Sequence, residues 1–112
     1  MFKVLNQDEI MQFICNYLHS NGWNIFDPPH VALSFKMYDS AVGKKEAQAY
    51  LSGDQYSWRL SGLYESQGRN ILETESVLIP KDSNTHQLQD LCFKFVQNVE
   101  TAIANSYAVR LL

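Results

Sequence analysis

No apolar run in the chain approaches the roughly 18–20 residues that a membrane-spanning helix needs. The opening Met-Phe-Lys-Val-Leu-Asn-Gln-Asp turns polar too early for the apolar stretch of a signal peptide, so the cytoplasm is the expected location. Cysteine is scarce: a chain of 112 residues has only Cys15 and Cys92. That length folds without covalent staples, so both read as thiols in a reducing compartment. Charge of one sign is also lacking, with nine Lys and Arg against twelve Asp and Glu and a net charge of −3. The surface is too poor in cations for a non-specific nucleic-acid binder, and the scattered acids are too sparse for a DNA mimic. The five glycines are dispersed at turns, so no loop can cradle a phosphate. Zinc spacings, a serine elbow and kinase-like motifs are equally missing, and neither metal nor cofactor is expected.

What is present suits one domain spanning residues 1–112. Hydrophobic residues make up 46% and aromatic residues 12%, ample for a single core. Two domains would leave about 55 residues each, a length that buries only about 60% of its unfolded surface.

The first element predicted is a helix from Asn6 to Asn21. Asn6 and Glu9 stand in a capping-box arrangement, and Ile10, Phe13, Ile14, Tyr17 and Leu18 repeat at helical spacing. Gly22 suits the left-handed stop, after which Trp23, Ile25 and Phe26 fold back under the helix and Pro28-Pro29 ends the connection. Val31, Leu33, Phe35 and Met37 then alternate with Ala32, Ser34, Lys36 and Tyr38, a strand period. Asp39 to Gly43 reads as a turn. Lys44–Ser52 has good helix propensity, yet its length and the turn signal Ser52-Gly53-Asp54 favour a strand. Tyr56, Trp58, Leu60 and Tyr64 alternate with Ser57, Arg59 and Ser61 in a third strand, with the aromatics assigned to the core. After the turn at Ser66-Gln67-Gly68, residues 69–79 make a fourth strand that Pro80 ends. A last helix runs from Asn84, capped with Gln87, to Ala108, and Leu88, Leu91, Cys92, Phe95, Val99, Ala102, Ile103 and Tyr107 share one wide face. The fold class expected is α+β: helix, four-stranded antiparallel meander, long helix, with both helices on one face of the sheet.

Four groups of residues invite a chemical reading. Cys15 and His19, one helical turn apart, could be a nucleophile and its base or half a metal site, but no orienting partner follows. They read as a surface pair on the polar side, so Cys15→Ala is expected to be nearly silent. Glu73 and Glu75 share a strand face that depends on the preceding hairpin. A two-residue Gln67-Gly68 loop turns them toward the helices, whereas a three-residue loop turns them outward beside Arg59. Burying two carboxylates is costly, which favours the outward register and a solvated Glu73, Glu75 and Arg59 cluster. The strand aromatics could stack single-stranded bases, but as core residues they cannot, and Trp58→Ala should then weaken the fold by about 3–5 kcal/mol. In the same register Ile71, Val77 and Ile79 face away from the helices beside Leu63 and Tyr38, while Phe93 falls on the polar side of the last helix. Several aliphatics on one open face suggest a patch that another protein covers.

The order helix, antiparallel sheet, helix, with small size and acidic balance, resembles type III secretion chaperones in outline, although those usually insert a helix within the sheet and none is found here. Size and the lack of catalytic motifs also resemble small phage and plasmid inhibitors such as anti-CRISPR proteins. These resemblances imply a non-enzymatic module that occludes or bridges a larger cytoplasmic protein or complex, and a homodimer is compatible with such a face. The contact residues expected are Arg59, Leu63, Glu73, Glu75, Val77, Ile79 and Phe93. A single-stranded nucleic-acid binder and, further behind, a small hydrolase on Glu73 and Glu75 or on Cys15 and His19 are the alternatives.

Overall fold

The computed structural model describes residues 5–29, 31–40, 43–53, 56–66 and 70–108. His30, Ala41, Val42, Asp54, Gln55, Gln67 and Gly68, and the side chain of Tyr107, lie outside the described residues. Among the described residues, two helices bracket an antiparallel sheet in the sequence: α1 (Gln7–Ser20), β1 (Asn24–Ile25), β2 (Ala32–Ser40), β3 (Gly43–Gly53), β4 (Ser57–Ser66), β5 (Asn70–Glu73), β6 (Val77–Pro80) and α2 (Thr85–Ala108). The α+β class stands, but among the described residues the sheet has six strands rather than four. The strands β1 to β5 pair in sequence, and β6 lies beyond β5 along the same edge of β4.

Local chemistry sets the helix ends. Asn6 Oδ1 accepts from the Glu9 N–H at 2.9 Å, and Glu9 Oε1 accepts from the Asn6 N–H at 3.2 Å. The pair Asn84 and Gln87 repeats this reciprocity at 2.9 Å in both directions. Each arrangement satisfies two N–H groups that the helix itself leaves unpaired. Gly22, with φ +89°, ends α1, and Lys36 Nζ donates to the Asn21 carbonyl at 3.0 Å, bringing a cation to the negative end of the helix.

The core lies between the helices and one sheet face. Ile10, Ile14 and Leu18 of α1 meet Leu88, Cys92, Phe95 and Val99 of α2, and Ala47, Ala49, Leu60, Val77 and Ile79 line the sheet. Trp23 is buried, its ring 6.0 Å from Phe95 and 6.3 Å from Tyr38. The central positions of this face are small because the layers approach closely. Ala49 pairs with Gly62, and a Cβ at Gly62 would lie 2.9 Å from Val99 Cγ2.

Two irregularities change which side chains face the helices. In β2, Ala32 pairs with Tyr50 but Ser34 pairs with Ala49, so Leu33 is an extra residue and both Leu33 and Ser34 are buried. Beyond this bulge, Lys36 and Tyr38 face the helices and Phe35 and Met37 face outward, the reverse of the simple alternation. The second slip falls between β5 and β6. Glu73 pairs with Leu63 and Val77 with Leu60, so four steps on one strand match three on the other. Val77 and Ile79, expected outside, are therefore core residues, and Leu78 takes the exposed position between them. One extra residue in Thr74–Ser76 makes the difference. Thr74 folds inward, donating its N–H to the Gly62 carbonyl at 2.7 Å and accepting from the Gly62 N–H at 3.1 Å through its hydroxyl.

Candidate functional site

The face of the sheet away from the helices is built in rows by the strand register. Phe35, Gln48, Leu63 and Glu73 stand opposite one another across β2, β3, β4 and β5. On one side of this row, Met37 pairs with Glu46 and Glu65 with Ile71. On the other, Tyr50 pairs with Ser61, and Ser52, Arg59 and Leu78 form the next row. Ser66 pairs with Asn70, so three residues join β4 and β5 and Glu73 turns outward, the register that the cost of burying carboxylates favoured.

Apolar side chains are open on this face, with Ile71 61%, Leu78 55% and Met37 47% exposed. Along β3 the Tyr50 hydroxyl donates to Gln48 Oε1, and Gln48 Nε2 donates to Glu46 Oε2 at 2.8 Å. This relay fixes the orientation of all three side chains. A depression of about 310 Å³ opens beside it, lined by Glu46, Gln48, Tyr50, Leu63, Glu65 and Ile71. A smaller one of about 150 Å³ is lined by Ser52, Ser57, Arg59 and Leu78.

The residues singled out in the sequence are only partly brought together. Arg59, Leu63 and Glu73 share the outward face, but Arg59 stands opposite Leu78, four residues along β4 from Leu63, or about 13 Å. Glu75 lies in the connection between β5 and β6, where its carbonyl accepts from Asn98 Nδ2 of α2 at 3.2 Å. Among the described residues no ion pair joins Arg59 to Glu73 or Glu75, so the expected cluster does not form. Phe93 is 55% exposed, but on α2, across the helix layer from the outward face. Met37 and Leu78 were missed in the sequence because their facing depends on the two phase slips, and the Tyr50 relay because the sequence reading assigned no facing to Lys44–Ser52.

The other candidates also move. Tyr56, assigned to the core, is 76% exposed just before β4 begins, whereas Tyr64 is buried and Trp58 is half-buried. The Trp58 ring lies under Lys81 Nζ, 4.4 Å from its centroid. Cys15 is buried, not on a polar surface, because the chain after α1 returns along that side of the helix. Cys15 and His19 border a cavity of about 600 Å³ whose other wall includes Ile25, Phe26 and Asp27. Burial pushes the Cys15 thiol up, which keeps it protonated. The deeper Cys92 thiol is pushed up to about 12 by the same cause. Among the described residues, no group of three or more His, Cys, Asp or Glu is arranged to hold a metal ion, and no helix is long and apolar enough to cross a membrane. The chain matches no family model, no curated protein and no solved structure.

Proposed function

We propose that the domain is a non-enzymatic protein-binding module that occupies a surface of a larger protein, as an inhibitor or adaptor does. The observation that carries this reading is the asymmetry of the sheet. One face is sealed by α1 and α2, while the other leaves Ile71 and Leu78 more than half exposed toward opposite ends of β4, with half-buried Leu63 between them. Apolar area ringed by polar and charged groups is the composition of a protein interface. Arg59, exposed beside Leu78, is the expected anchor, since its guanidinium hydrogen-bonds in a plane and its stem is apolar.

Single-strand binding gains less support. Trp58 and Tyr64 point to the helix side, and the outward face sets Glu46, Glu65 and Glu73 where phosphates would lie. A thiol hydrolase gains less as well, because a nucleophilic cysteine must ionise readily and Cys15 is shifted the opposite way. The test is photocrosslinking in the cells that produce the protein, with a benzophenone side chain placed in turn at Ile71, Leu78 and Phe93. Adducts of one common mass are expected at Ile71 and Leu78 but not at Phe93. Adducts at Phe93 alone, or at none of the three, would overturn the reading.

A further inference from the structure

The depression on the outward face has a definite chemical character. Its floor is the aliphatic surface of Leu63 and Ile71 with the Tyr50 ring, and its charged groups are Glu46 and Glu65. Glu46 is half-buried and its Oε2 receives the Gln48 amide at 2.8 Å, while among the described residues nothing donates to its other oxygen. Glu65 meets Lys45 Nζ at 3.9 Å, the outer limit of an ion pair. Two carboxylates that border one depression, only partly matched by Gln48 and Lys45, attract a cation placed between them. The relay from Tyr50 through Gln48 holds Glu46 in place, so little ordering is lost when that cation arrives.

We infer that this depression receives an arginine side chain of the partner protein, its stem on Leu63, Ile71 and Tyr50 and its guanidinium between Glu46 and Glu65. The inference rests on the outward face being the binding face and adds the chemistry of what binds there. A planar guanidinium suits the site better than an ammonium, because it bonds two carboxylates at once and stacks on an aromatic ring. Nucleic acid is the wrong occupant on charge, and a purely apolar segment would cover both carboxylates without bringing a charge to offset them.

The test is an amide-resolved NMR titration of the full chain with acetylated, amidated Leu-Arg-Leu, and with the same peptide carrying citrulline, which keeps the shape of arginine without its charge. The arginine peptide is expected to shift the amides of Glu46, Gln48, Leu63 and Ile71 and to saturate in the millimolar range. The citrulline peptide should bind about tenfold more weakly, the size of a charge-assisted contact. Glu46→Gln and Glu65→Gln should each weaken the arginine peptide about threefold to fivefold, whereas Asp90→Asn, exposed on α2, should not. Equal binding of both peptides would overturn the inference, as would the absence of shifts at these amides up to about 10 mM. Neither result touches crosslinking at Ile71 and Leu78, so the two claims fail separately.

Discussion

Replacing Gly62 by alanine probes how closely the layers pack. Gly62 faces the helices opposite Ala49, and an added Cβ would meet Thr74 Oγ1 at 2.7 Å and Val99 Cγ2 at 2.9 Å. Both distances are too short for a methyl group. In an open strand the change would stabilise by about 0.5–1 kcal/mol, because glycine loses more chain entropy on folding. Overpacking opposes this with about 1–3 kcal/mol, and displacing Thr74 weakens its hydrogen bond to the Gly62 N–H, worth about 0.5–1.5 kcal/mol. The net expectation is a loss of about 1–3 kcal/mol, or roughly 5–15 °C in Tm. Because part of the clash is with Val99, the same change in a Val99→Ala background should be milder by about 1 kcal/mol. Urea and thermal melts of the parent, both single variants and the double variant measure this coupling. A Gly62→Ala protein that melts at or above the parent, or a penalty identical in both backgrounds, would refute the close approach of α2 to β4.

Alkaline pH should destabilise the fold through Cys92 and Tyr38. Burial raises the Cys92 thiol from 9.0 to about 12, and burial, then the Glu100 charge, raise the Tyr38 phenol. A raised acid leaves stability intact below the unfolded pKa and loses it as pH climbs toward the folded one. Stability should therefore fall between pH 9 and 12 with a slope of up to about 1.4 kcal/mol per pH unit for each such group. The combined Cys92→Ala and Tyr38→Phe variant should flatten urea-derived stabilities over this window, and a parent already flat there would contradict the burial of both groups. Tyr38→Phe alone should leave stability at neutral pH unchanged or slightly higher, since the buried hydroxyl has no hydrogen-bond partner among the described residues. Trp58→Ala should cost about 1–3 kcal/mol in urea melts, less than a fully buried tryptophan, because the ring lies at the rim of the core beneath Lys81. Cys15→Ala should cost about 1 kcal/mol rather than nothing, and an unchanged melt would return Cys15 to the surface.

The helices were legible because their signals are local. The capping boxes at Asn6 and Asn84 form as their spacing implies, and Ile10, Ile14 and Leu18 are buried together. The strand reading of Lys44–Ser52 also holds, although only Ala47, Ala49 and Leu51 of that stretch are buried and two of the three are small. Side-chain facing was less legible, because a bulge adds one residue without altering composition or apolar content. Leu33 in β2 and the Thr74–Ser76 connection each reverse everything that follows. For the candidate site, the reversal removes Val77 and Ile79 and admits Leu78, whereas Leu63, Glu73 and Arg59 precede the second slip and keep their expected facing. The burial of Cys15 was hidden for another reason: it depends on the path of the chain after Gly22, which helical periodicity does not describe.

The central claim is that the outward face, and not the helix layer, engages a partner. The most direct measurement is the affinity of the partner identified by crosslinking for the Ile71→Glu/Leu78→Glu double variant, with a thermal melt of the same protein. Both side chains are more than half exposed, so Tm should stay within a few degrees of the parent. Affinity should fall by about 30-fold or more, since two charges would be driven into an apolar interface. An unchanged affinity in the folded double variant would contradict the claim.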